Sequence, residues 1–219
     1  MKIFKKPAAL ILPILIFSTF LAFAQKEFEG TVIYTINYID MPPEMEQMKA
    51  MLPQNTTIHI KGNKSRMEQT QMMGSNVIVS DMDAKIGFME MDMGGQKIRI
   101  NVAKEEFEKE SNQMKNIEYF DDTKTILGYT CKRAVLKDDS GQIEITVYYT
   151  DKITNKAQKE FAGLNGFPLQ YSMTQQNMTM EMVATELNEV SISEDIFAKS
   201  DGFRDMTQQE LQQMMGGGR

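Results

Sequence analysis

Methionine carries the most unusual chemical pattern in this sequence, with 20 methionines among 219 residues. Met89, Met91 and Met93 alternate with Glu90 and Asp92, and Met178, Met180 and Met182 alternate with Thr179 and Glu181. Successive side chains of a β-strand point to opposite faces, so in a strand each trio shares one face. A face of unbranched, polarisable thioethers adapts to an irregular apolar ligand. The same sulfurs are soft ligands of the kind that select Cu(I), and they serve equally well as gap-filling core. The pattern leaves these three uses open. Met45 and Met48 of a short amphipathic segment, with Tyr34 and Tyr149 on the apolar faces of their strands, complete the candidate cavity lining.

The remaining reactive residues are sparse. His59 is the single histidine and sits between Ile58 and Ile60, on the polar side of a strand. One imidazole cannot head a multi-histidine metal site, and no nucleophile-elbow sequence accompanies it to build a triad. Cys131 is the only cysteine, so no intramolecular disulfide forms, and a buried strand thiol is inert. The acidic pairs Asp121-Asp122 and Asp138-Asp139 fall in turns and lack the fixed ligand spacing of a calcium loop. There is no zinc spacing and no phosphate-binding glycine loop. The sequence therefore assigns no catalytic residue, no metal ligand and no cofactor, and the expectation is a protein that is not an enzyme.

The elements that position these residues begin after a leader. Lys2, Lys5 and Lys6 form a positive n-region, Ala8 to Phe23 is almost wholly apolar, and Ala22-Phe23-Ala24 is a small-x-small cleavage pattern. Residues 1–24 read as a signal peptide, which predicts a periplasmic or secreted protein of the Gram-negative envelope. Losing those residues removes three lysines and no acid, moving the net charge from −6 to −9. So acidic a chain excludes nucleic acid as a partner, because that needs a basic footprint. No later apolar run is long enough to span a bilayer. Residues 25–215 fit a single β-rich domain, and 216–219 a flexible glycine-rich tail.

Within that domain Phe28 to Ile39 alternates as a first strand, with Val32, Tyr34, Ile36 and Tyr38 on one side. Pro42-Pro43 breaks it, and Glu44 to Leu52 reads as a short helix with Met45, Met48 and Leu52 at helical spacing. Strands then follow at Thr56–Lys61, Lys64–Met72, Asn76–Ser80, Lys85–Met93 and Gln96–Val102, separated by glycine and aspartate turns. Ala103 to Met114 is charged and helical or looped. Ile126 to Tyr149 forms a hairpin around Asp138-Asp139-Ser140-Gly141. Thr154 to Leu164 reads as a helix capped by Thr154, with Ala157, Phe161 and Leu164 on one face. Two last strands cover Leu169–Thr174 and Thr179–Leu187. Ser193 to Arg204 is irregular, and a capped helix spans Thr207–Met215. Hairpins at this spacing predict a mainly β fold with a few short helices, an antiparallel curved sheet or half-barrel.

Several local patterns agree with one family: Gly30-Thr31-Val32-Ile33-Tyr34, Ser65-Arg66-Met67-Glu68, Gly128-Tyr129-Thr130-Cys131-Lys132, Gly166-Phe167-Pro168-Leu169-Gln170-Tyr171, and Met206-Thr207-Gln208-Gln209-Glu210-Leu211. Their order and spacing resemble the secreted bacterial domain-of-unknown-function family numbered 4412. Tyr148-Tyr149-Thr150 stands where that family has Trp-Tyr-Thr. The family is similar in architecture to LolA/LolB-like periplasmic lipoprotein carriers, so the resemblance implies a half-barrel whose helices cover an apolar face. It transfers no catalytic residue.

The function these readings predict is a non-enzymatic carrier or binder of an apolar ligand, a lipid or acyl chain, held in a Met-lined half-barrel. The alternatives are a Cu(I)-handling protein using the Met trios, and an envelope interaction domain that docks an unidentified protein partner and holds no small ligand.

Overall fold

The computed structural model describes residues 26–72, 74–111, 114–138, 143–154, 156–175 and 178–216. The leader and the last three residues of the glycine tail lie outside them, as do Asp139 to Gln142 of the predicted hairpin turn.

Most of the described chain forms one open antiparallel sheet. In chain order its first strands are β2 (Glu29–Asp40), β3 (Asn55–Lys61), β4 (Lys64–Gln71), β5 (Gly74–Asp81), β6 (Ile86–Met93) and β7 (Gln96–Val102). They continue as β8 (Met114–Ile126), β9 (Tyr129–Asp138), β10 (Glu144–Thr150), β12 (Phe167–Gln175), β13 (Met178–Glu189) and β14 (Arg204–Met206). Two short segments, β1 (Lys26–Glu27) and β11 (Ile153–Thr154), pair in parallel beside it. The order across the sheet is β14-β7-β6-β5-β4-β3-β2-β13-β12-β10-β9-β8. All neighbours are antiparallel except β14, which lies parallel to β7. β2 and β13 join the two hairpin runs, so the sheet's middle is a pairing between segments about as far apart as the chain allows. The β10–β9 hairpin, prominent in the sequence, lies near one edge.

The alternation expected of β2 is present: Val32, Tyr34, Ile36 and Tyr38 are buried on the sheet's inner face. Register carries that face across the sheet, from Val32 to Ile58, Met67, Ile78, Met89 and Ile100 in turn. Pairing in the other direction sets Ile36 opposite Met182 and Met182 opposite Tyr171. Both methionine trios therefore share one face. Bulges at Thr179/Met180 and Ala184/Glu186 interrupt the β2–β13 ladder, and bulges bend the strand that carries them. The result is the open, curved, mainly β sheet expected from the turn spacing.

The main core lies on the inner face, where the rings of Tyr34 and Phe161 each meet Tyr171 edge-on, with centroids 5.6 and 4.9 Å apart. Covering it is the segment around Ala157, Phe161 and Leu164, all buried. The predicted helix there is replaced by a single 3₁₀ turn, Lys159–Phe161. Thr154 belongs to β11, and the residue preceding the turn is Gln158. The apolar spacing marked the buried side chains correctly, but the Gly163 and Gly166 breaks leave too few residues to propagate a helix.

α1 is likewise only Pro43–Glu46, followed by a 3₁₀ turn at Lys49–Met51, and neither holds a buried residue. α2 spans Lys104–Ser111 and α3 Gln208–Gly216. α3 starts with a capping box: Thr207 Oγ1 accepts from Glu210 N at 3.1 Å, while Thr207 N donates to Glu210 Oε2 at 2.7 Å. None of the described helices is long and apolar enough to cross a membrane.

The segment read as irregular is a strap across the outer face. Ile192 N donates to Glu29 on β2, Lys61 on β3 donates to Ile192 O, and Arg66 on β4 donates to Ile196 O. Ile192 and Phe197 pack on Val79 and Phe88, forming a second small core. The strap ends by adding β14 beside β7.

Candidate functional site

The inner face is not evenly filled. The last β3–β4 pair is Thr57–Glu68, so Gln69 to Gln71 are not paired with β3, while β4 and β5 stay paired to Gly74. On the other side β2 and the β12–β13 hairpin also outrun β3. The gap left by the shorter strand opens a groove of about 390 Å³, within the roughly 300–1,000 Å³ of small-molecule sites.

Thioethers dominate the β12–β13 side of this groove, with Met173 from β12 and Met178, Met180 and Met182 from β13, and Met67 of β4 joins them in the lining. Met173 and Met180 are direct cross-strand partners. Leu52 and Phe161 add apolar surface, and Tyr38 is held by its hydroxyl, which donates to Pro53 O at 2.8 Å. Burial pushes the Tyr38 and Tyr171 phenols above their ordinary range, so both stay neutral. Amides form the opposite rim: Gln69 and Asn76, themselves a cross-strand pair, with Gln71 beyond them. Among the described residues Glu160 is the one charged member of the lining.

The 3₁₀ turn divides the inner face in two. Glu160 also lines a second hollow of about 280 Å³, bounded by Met89, Ile78, Ile100 and Phe107 and covered by Leu211 of α3. Of the predicted lining residues, then, Met178, Met180 and Met182 come together in the groove, and Met89 faces the separate hollow. Met91 and Met93 line neither, and Met93 is exposed. Met45 and Met48 are also outside both, Met48 being 50% exposed on its short turn. Tyr34 is closed core, its hydroxyl donating to Pro168 O at 2.6 Å, and Tyr149 packs on Tyr119. Sequence reasoning missed Met67, Met173 and the amide rim. Met173 continues the Leu169–Tyr171 alternation and could have been found that way. Glu68-Gln69-Thr70-Gln71 is polar on both faces and gave no signal.

The other reactive residues lie elsewhere. His59 is on the outer face, its Nδ1 3.0 Å from Thr31 Oγ1, beside a polar hollow of about 460 Å³ between β3, β4 and the strap. Cys131 is fully buried, and burial pushes its thiol up to about 11. Among the described residues no group of three or more His, Cys, Asp or Glu is placed to hold a metal ion.

Residues 96–209, just over half of the chain, match the family model described as N-glycanase peptide, N-terminal domain. The chain belongs to this family. The match is to this model, and the resemblance to family 4412 is not part of it. Two crystal structures of PNGF-II share the fold, at TM-scores of 0.54 and 0.51 and 14% identity, over 85% and 81% of this chain. This chain spans only 33% and 30% of theirs. The crystal structure of LprF from Mycobacterium bovis aligns over 74% of this chain and 89% of its own, with a TM-score of 0.33 and 8% identity, a level that carries no structural argument. No curated protein matches the chain.

Proposed function

We propose that this member of the N-glycanase peptide N-terminal family is an exported, non-enzymatic domain that binds an apolar ligand in the groove beside β13. The observation that carries the reading is the convergence of five methionines from β4, β12 and β13 on one groove. Flexible thioethers adapt to a ligand's shape. The chemistry around the groove supports a binding role over a catalytic one: among the described residues its lining offers a single carboxylate and no imidazole or thiol. The one histidine engages Thr31 on the opposite face, and general acid–base work needs partners within hydrogen-bond reach of the reacting atom. Native mass spectrometry of protein isolated from its own cell envelope without detergent tests this reading. A ligand-sized adduct lost from the Met180→Trp variant is the expected result, and apo protein alone counts against it.

The same lining supports a second reading as a thioether site for Cu(I). Titration with Cu(I) under reducing conditions separates the two, since an apolar ligand needs no metal.

A further inference from the structure

We propose that the groove's occupant is a neutral amphiphile, with its apolar part against the methionines and an uncharged, hydrogen-bonding head against the amide rim. This rests on the apolar-ligand reading above and narrows it.

The first observation is charge. Among the described residues no lysine, arginine or histidine lines the groove, and the only charged member of its lining, Glu160, is acidic. A carboxylate or phosphate head carried into this half-enclosed space would lose water and gain no cation. The chain's formal charge of −6 opposes it further. Fatty acids and anionic phospholipids are therefore poor occupants, although an acyl chain by itself suits the methionines well.

The second observation is unspent hydrogen-bonding capacity. Gln69, Gln71 and Asn76 are each half-buried in the lining, and their side chains bond to no other described residue. Every such amide offers two donors and a carbonyl acceptor. Three of them on one rim match a head that both donates and accepts, such as a hydroxyl cluster or an amide. Facing them across the gap are Met178 and Met180, which offer almost no hydrogen bonding. The groove thus sorts a ligand end to end, apolar against β13 and polar against β4 and β5.

Calorimetric titration of the full chain with three amphiphiles of equal tail length tests this: decyl glucoside, decanoate and decyltrimethylammonium, each below its micelle concentration. Decyl glucoside should bind saturably, and decanoate at least about ten-fold more weakly. Gln69→Lys and Gln71→Lys, each first shown to melt as the parent does, should raise decanoate affinity by about ten-fold by supplying the missing cation. Decanoate binding as tightly as the glucoside, or decyltrimethylammonium binding tightest, would overturn the neutral-head assignment while leaving the apolar groove standing. Unchanged decanoate affinity in both lysine variants would overturn it as well. If no amphiphile binds, the groove reading itself fails.

Discussion

Glu90 and Arg99 face each other across β6 and β7 on the sheet's outer face, with Arg99 Nη2 2.8 Å from Glu90 Oε1 and both side chains under a tenth exposed. Glu90 Oε1 also accepts from Ser200 N at 2.9 Å, and Arg99 reaches the Ser200 carbonyl and Asp205. The pair is thus the fastening between the sheet and its strap.

Arg99→Met takes the guanidinium from the buried Glu90 carboxylate and should cost about 3–5 kcal/mol, whereas Glu90→Gln leaves Arg99 its Asp205 partner and should cost less. Replacing both, as Glu90→Leu with Arg99→Met, should cost less than either alone. Urea midpoints of the variants check this. Additive losses in the double variant would mean the pair is not acting as a unit.

The same pair sets a pH dependence. Burial pushes the Glu90 carboxyl up, but the Ser200 and Arg99 hydrogen bonds and the guanidinium charge outweigh it and hold the group below its usual value of 4.5. A carboxyl lowered in the folded state adds stability above its unfolded pKa and loses it as pH falls through the folded one. Stability should therefore drop as pH falls below 4.5, and the drop should be shallower in Glu90→Gln. Parallel curves for the two proteins would contradict this.

Cys131→Ala should leave a folded protein, less stable by about 1–2 kcal/mol at most. The thiol is buried and protonated at neutral pH. It should react with a thiol reagent only as fast as the native protein opens, which a comparison of labelling in buffer and in urea measures.

Gly30 lies in the middle of the sheet, where a Cβ would fall 2.1 Å from the Asn188 carbonyl oxygen on β13. Backbone cannot swing aside as a side chain can, so Gly30→Ala should cost about 1–3 kcal/mol. Gly94→Ala meets no atom within 4 Å but keeps a positive φ of 64°, so it separates turn strain from the close approach. A Gly30→Ala loss no larger than the Gly94→Ala loss would show that the β2–β13 contact tolerates a methyl group.

Local chemistry made the hairpins legible. Asp81, for example, takes the Asp83 and Ala84 amides on its side chain, and Gly62 supplies a left-handed turn. The capping box at Thr207 and Glu210 was readable for the same reason. What the sequence hid were long-range partners. Glu90 alternates with methionines and nothing near it in the sequence marks a partner, yet the strap arriving from Ile192 to Ser200 covers it. Likewise both trios show the same period-two pattern, and the difference between them comes from their surroundings. α3 packs over the hollow beside Met89, whereas the short β3 leaves the space beside Met180 open.

That difference gives the most direct test of the apolar groove. The neutral fluorophore N-phenyl-1-naphthylamine, titrated into the parent protein and into Met180→Ala and Met180→Trp, reads occupancy while melts read stability. Because Met180 already borders open space, Met180→Ala should cost less than about 1.5 kcal/mol, against about 2–5 kcal/mol for a methionine in a filled core. The parent should bind the dye saturably, and Met180→Trp should fold normally yet lose binding by filling the groove. A loss near 3 kcal/mol or more in Met180→Ala, with no saturable dye binding in the parent, would show that these methionines are ordinary core.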